Sequence, residues 1–278
     1  MSPLLRLFRP VNAVMAIIGT VISSVVSIGS GIIYHLITVA IASSVVFMVL
    51  SGGNIMNDVL DAEIDSINHS ERPIPSGMVT KRSATYLYLT LYAVALIVSL
   101  SFLPLISFPV VFAAEILLIL YEYKGKKMGL PGNMMISALI GAIFLYGGIV
   151  FYNPERLFLM FLLAFLSNVS RELIKDVQDM EGDVDRKTFP KVHGKKAALD
   201  LSSVFIIMTI CISVFPYIIG LNVAVTFSDF SATVPVTIIS APDTAAFFAA
   251  SGDLIPPPTI IGIFTWLFTF LIISMLMG

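Results

Sequence analysis

The stretch NDVLDAEIDSINHSERPIPSG, residues 57–77, sets Asp58, Asp61, Glu63, Asp65 and Glu71 beside a single cation, Arg72. It follows directly on a run, Pro10 to Asn57, that contains no Asp, Glu, Lys or Arg. An apolar run of that length suffices for two membrane crossings at about 20 residues each. The acidic stretch therefore begins where the chain leaves the bilayer, and the rest of the fold is read outward from that boundary.

Of 278 residues, 57% are hydrophobic and 12% charged, against about 25% charged in an ordinary soluble domain. Further apolar segments follow at 83–103, 107–123, 129–151, 157–176, 199–219 and 256–277, in addition to 10–28 and 36–57. A bilayer satisfies the backbone of a lone segment only as a helix, so these eight are expected to be transmembrane helices. A weaker segment between Leu221 and Leu254, carrying Asp229, Pro235, Pro242 and Asp243, is a ninth. The fold class is thus an all-α polytopic membrane bundle of about nine helices in a single domain, 1–278. Arg6 and Arg9 before the first apolar segment resemble the start of a signal peptide, but the segment is too long and lacks a small-residue cleavage site, so it reads as a first span.

The formal net charge of −2 gives no reason to expect nucleic-acid binding. Lone Cys211 excludes a disulfide framework or a thiol pair within the chain. The 16 Lys and Arg are sharply distributed: before span one, after span two, after span four, and from Arg171 to Lys196 around the end of span six, with only Arg156 on the other side. Positive charge is retained in the cytoplasm, so the N-terminus and the loops after even-numbered spans are expected there.

A second acidic cluster, RELIKDVQDMEGDVDRKTFPKVHG (171–194), follows span six. Asp61 and Asp65 lie 118 residues before Asp179 and Asp183, and each pair is followed by a base, a proline and a glycine, the mark of a weak internal repeat. If the helices continue past the membrane, Asn57, Asp61 and Asp65 progress along one face, as do Glu172, Asp176, Asp179 and Asp183. One reading is that these are solvated charges at a membrane boundary. The other is that two matched clusters on one side hold Mg²⁺, a hard ion usually bound by one or two carboxylates plus substrate phosphates. Nearby Arg and Lys would then neutralise the remaining phosphate oxygens.

The residues also carry a resemblance. NDVLDAEID is similar to the NxxxDxxxD motif of the UbiA superfamily of intramembrane prenyltransferases through Asn57, Asp61 and Asp65; ERPIPSG is similar to the RPxPSG that follows it; DMEGD supplies the second DxxxD through Asp179 and Asp183. NVSRELIKDVQDMEGD and the following KTFP resemble the archaeal ether-lipid branch, with Gln178 in place of the usual Glu. The resemblance implies helices around a central cavity with both motifs on cytoplasmic loops, Mg²⁺ held by Asp61, Asp65, Asp179 and Asp183, and catalytic roles for these together with Asn57 and Asp176. It implies geranylgeranyl diphosphate as donor and the hydroxyl of geranylgeranylglyceryl phosphate as acceptor, with diphosphate released.

For binding the phosphates the candidates are Arg9, Asn12, Arg72, Lys124, Lys127, Asn168, Arg171 and Lys175. Arg9 and Asn12, in RPVN, are similar to a family RPxN motif, though Arg9 also serves as a positive-inside anchor. Lys124 and Lys127 belong to YEYKGKK, similar to a Tyr/Lys-rich family stretch; Tyr121 and Tyr123 read equally as interfacial belt residues. Asn168 lies inside an apolar run, where a polar group needs a partner. Glu115, well inside a span, is either functional or paired across helices. His35, His69 and His193 make no metal-ligand spacing and read as loop residues.

Three other functions compete. An ion-coupled transporter would carry its acids near the bilayer midplane rather than at one face with bases alongside. A CDP-alcohol phosphotransferase needs DGxxAR, and here Asp61 is followed by Ala62 and Glu63. An aromatic, quinone-type acceptor within the same superfamily would share the diphosphate site and differ only in the acceptor.

Overall fold

The computed structural model describes residues 3–180 and 187–218; the expected spans at 221–254 and 256–277, and Asp183, lie outside the described residues. Every regular element among the described residues is helical. A short α1 (Pro3–Leu7) leads into α2 (Pro10–Ile28), and a 3₁₀ segment, Gly29–His35, turns the chain into α3 (Leu36–Leu60). Beyond a break at Asp61 lie α4 (Ala62–Asn68), α5 (Lys81–Phe102) and α6 (Ser107–Tyr123). The second half has α7 (Leu130–Val150), α8 (Phe158–Gln178), the short α9 (Phe189–His193) and α10 (Lys195–Ile218).

The termini follow local chemistry. Pro10 opens α2, where its missing N–H costs nothing. Thr80 caps α5, its Oγ1 accepting from the Ser83 amide at 3.1 Å. At 25 residues α3 is about 37 Å long, more than a hydrocarbon core of about 30 Å, so its last turn projects beyond the lipid.

Lipid offers no hydrophobic driving force between helices, so their contacts depend on close fit and small side chains. Helix α2 sits centrally, against α3 on one side and α7 on the other; α3 packs on α5, and α8 on both α7 and α10. Gly147 lets α7 approach α2 so closely that a Cβ there would stand 1.9 Å from Ser23 Oγ. The buried hydroxyls of Thr20, Ser23 and Ser24 return to carbonyls of their own helix at 2.8–2.9 Å and are so satisfied without a partner on another helix. Outward-facing Ile97, Phe112, Ile116, Val204 and Ile207 remain exposed, an apolar surface suited to a bilayer. Arg156 donates to Ser27 O at 3.1 Å with Asn153 beside it at 3.2 Å, capping the end of α2.

Candidate active site

Two helices end in the same way at the two acidic motifs. α3 closes at Asp61 (φ −87°, ψ 5°) and α8 at Asp179 (φ −85°, ψ 1°). Each aspartate amide donates 2.9 Å back to a carbonyl one turn earlier, Asn57 and Lys175 respectively. The helix from Asn57 to Asp65 is therefore not uninterrupted as the four-residue spacing suggests: it breaks at Asp61, and α4 carries Asp65 onward. Asp61, Asp65 and Asp179 nonetheless line one cavity of about 510 Å³, which brings the described carboxylates of both motifs together.

At its mouth the cavity is polar, with Arg9, Asn57, Arg72, Glu122, Lys126, Arg171, Glu172 and Lys175 around these aspartates. Farther along it is lined by Met15, Leu118, Ile136, Ile140, Ile143 and Phe144. Asn12 and Asn168 also line it; Asn168 Nδ2 donates to Ser137 Oγ at 3.1 Å, the partner that its burial requires.

Most of the charges are held by specific partners. Arg9 has a left-handed backbone (φ 47°, ψ 70°), a conformation that costs about 1–3 kcal/mol outside glycine. Its guanidinium is thereby turned over α3, where it donates to Asp58 Oδ1 at 2.7 Å and Asn57 Oδ1 at 3.1 Å. In the RPIPSG turn, Ser76 N bonds to Arg72 O at 3.0 Å, Gly77 takes φ 77°, and Arg72 is aimed back at Asp65, 2.6 Å away. Lys126 pairs with Asp61 at 3.0 Å and with Glu122; Arg171 pairs with Glu172 at 2.8 Å.

The structure places some candidates elsewhere. Lys124 and Lys127 are exposed and do not line the cavity. α6 ends at Tyr123 and tightens into a 3₁₀ turn, Gly125–Lys127, which swings Lys126 inward instead. Asp176 is drawn toward α7, where Asn133 Nδ2 donates to its Oδ2 at 2.8 Å, and it is not part of the lining. Glu115 is buried away from the cavity, its Oε1 without a hydrogen-bond partner among the described residues. His69 is a loop residue as expected, yet it stands at the cavity wall. Glu122 and Lys126 are the residues that motif reading missed. Their four-residue spacing in YEYKGKK was the available signal, because it puts both on one face.

The donors suit a hard cation shared with a phosphate ligand. Among the described residues no three His, Cys, Asp or Glu side chains converge to hold an ion unaided. Among the described residues, the carboxylates lining the cavity (Asp61, Asp65, Glu122, Glu172, Asp179) equal in number the bases there (Arg9, Arg72, Lys126, Arg171, Lys175). A diphosphate would upset that balance unless it brought positive charge, and Mg²⁺ held by one or two carboxylates and by phosphate oxygens supplies it. Bases at the mouth and an apolar interior suit an anionic head joined to a hydrocarbon tail.

Comparison with known proteins identifies the family. Residues 16–242 match the UbiA prenyltransferase family. The digeranylgeranylglyceryl phosphate synthase of Methanopyrus kandleri is 36% identical over 222 residues, 79% of this chain and 80% of the relative. That of Thermococcus kodakarensis is 34% identical over 220 residues, 78% of each. A solved structure from work on digeranylgeranylglyceryl phosphate synthase in membranes superimposes with TM-score 0.68 at 27% identity, covering 99% of this chain and 97% of that one. A UbiA homologue from Archaeoglobus fulgidus bound to DMAPP and Mg²⁺ has TM-score 0.66 at 16% identity, covering 98% and 96%, a likeness of fold. With most of its length inside the family match, this helical chain is an integral membrane member of the UbiA prenyltransferase family.

Proposed function

We propose that the chain transfers a geranylgeranyl group from geranylgeranyl diphosphate to the hydroxyl of geranylgeranylglyceryl phosphate, releasing diphosphate, in the synthesis of archaeal ether lipids. The observation that carries this reading is a single cavity with Asp61, Asp65 and Asp179 among bases at its mouth and an apolar lining beyond. The curated relatives bearing the name of such a synthase support the choice of substrates.

In this reading Arg9, Asn12, Arg72, Lys126, Arg171 and Lys175 hold the phosphates. Asp61, Asp65 and Asp179, with Asp183 by its motif, hold Mg²⁺, and Asn57 orients the first group. Bound there, the ion supplies charge neutralisation on the leaving oxygens. The bases act in the same sense: they stabilise negative charge as the allylic C–O bond breaks and its electron pair departs with diphosphate. The apolar wall shields the allyl cation from water. The acceptor oxygen closes the ether bond and gives up its proton. The N-terminus and both motif loops face the cytoplasm, and residues 1–278 form one domain with two related halves.

The test is prenyl transfer by the purified chain in lipid nanodiscs with radiolabelled geranylgeranyl diphosphate and Mg²⁺. Labelled ether product with geranylgeranylglyceryl phosphate, abolished in Asp61→Ala and Asp179→Ala variants that retain the parent's melting profile, is the expected result. Transfer to an aromatic acceptor alone, or full activity of either variant, would overturn the reading.

A further inference from the structure

Glu122 has no part in the proposed chemistry, yet its carboxylate meets both Asn57 of the first motif and Lys126. Its side chain is 6% exposed and that of Lys126 is 9% exposed, so both are largely removed from water. The Asn57 amide lies between two kinds of neighbour. Its Nδ2 donates to Glu122 Oε2 at 3.1 Å, with Oε1 at 3.4 Å and Asp61 Oδ2 at 3.3 Å. Its Oδ1 accepts from Arg9 at 3.1 Å. Carboxylates only accept and a guanidinium only donates, so a flipped amide would set its oxygen against two anions. One orientation survives, with Oδ1 on the side of the cations.

Asp61 does not secure that orientation alone. Its bond to Asn57 is longer, it also takes Lys126 at 3.0 Å, and a ligand drawing on Asp61 would loosen both contacts. Glu122 holds the other Asn57 contact and pairs with Lys126 across one helical turn, independently of Asp61. We propose that Glu122 is a positioning residue: its carboxylate fixes the Asn57 amide with Oδ1 toward the cation side and keeps Lys126 at the cavity when Asp61 engages the ligand. This rests on the proposed function above.

Its test uses the full chain in nanodiscs and three replacements: Glu122→Gln, which keeps an acceptor for Asn57 Nδ2, and Glu122→Met and Glu122→Ala, which do not, Met preserving the volume if Ala fails to fold. Removing a preorganised electrostatic group costs about 10²-fold, and that loss in kcat/KM for the prenyl diphosphate is expected for Met, with Gln recovering to within about tenfold of the parent. On an Asn57→Ala background, Glu122→Met should cost about tenfold less than it does alone, because residues acting through one another are not additive. Equal losses for Gln and Met, or losses that simply multiply with Asn57→Ala, would overturn the proposal. Calorimetric titration of inorganic diphosphate with Mg²⁺ separates it from the reaction itself. Binding weakened in Met but not in Gln supports the positioning role even where no acceptor is prenylated, and identical binding in parent, Gln and Met overturns it.

Discussion

Lys124, Lys126 and Lys127 differ by one to three positions and occupy different surroundings. Only Lys126 reaches the cavity, bridging Glu122 and Asp61, while its neighbours project outward. Lys126→Met should therefore reduce prenyl transfer by about 10²-fold, the scale of losing one preorganised stabilising group, and Lys124→Met and Lys127→Met by less than about threefold. Steady-state rates of the three purified variants check this, and a loss at Lys124 equal to that at Lys126 would contradict it. A motif names a stretch; the turn at Gly125 decides which of its bases faces inward, and a family resemblance over YEYKGKK carries no such turn. Asp176 teaches the same lesson, since it shares a helical stripe with Asp179 but is held by Asn133 from a helix far away in sequence. Asp65 and Arg72 were legible because they are partners of one another seven residues apart, across a single local turn.

Among the elements, the end of α6 and the start of α7 meet where Gly132 lacks a side chain. A Cβ at Gly132 would lie 2.0 Å from the Gly125 carbonyl oxygen, backbone that cannot rotate away, whereas one at Gly19 would make ordinary contacts of 3.6–3.8 Å with Ile143 and Phe144. Gly132→Ala should thus cost about 1–3 kcal/mol of overpacking and displace the turn that presents Lys126. Its thermal melting in detergent should fall below the parent's, and Gly19→Ala should melt within error of the parent; the reverse order would refute the contact. Hydropathy located these helices to within a few residues because lipid permits little else. It could not show that α3 stops at Asp61, since one ψ angle near 5° interrupts a helix whose i−4 hydrogen bond to Asn57 persists.

For the molecule as a whole, the distribution of Lys and Arg was enough to propose a sidedness, and a labelling experiment decides it. With Cys211→Ser as background, cysteines at Ser76 and Lys195 should react with an impermeant maleimide only from the cytoplasmic face. Cysteines at exposed Tyr34 and Tyr152 should react only from the opposite face, and any exchange between the two sets would invert the topology. The bundle was readable as a whole because a charge-poor chain has few ways to be stable. That Asp179 lines the same cavity as Asp61 and Asp65 was readable only as an expectation, because packing such as the α2–α7 contact depends on Gly147 and Ser23, which no motif marks.

Among the described residues, the one-for-one matching of acids and bases around the mouth gives this vestibule the character of a closed electrical circuit rather than a magnet for anions. On the proposed function a pyrophosphate head would enter there by exchange rather than by surplus positive potential, with Arg72 and Lys126 trading Asp65 and Asp61 for phosphate oxygens and those two carboxylates then free to hold a divalent ion. Loading and assembly of the reactive arrangement would then be one event, so a lipid head without its counterion, or a counterion without the head, would leave the lock as it was.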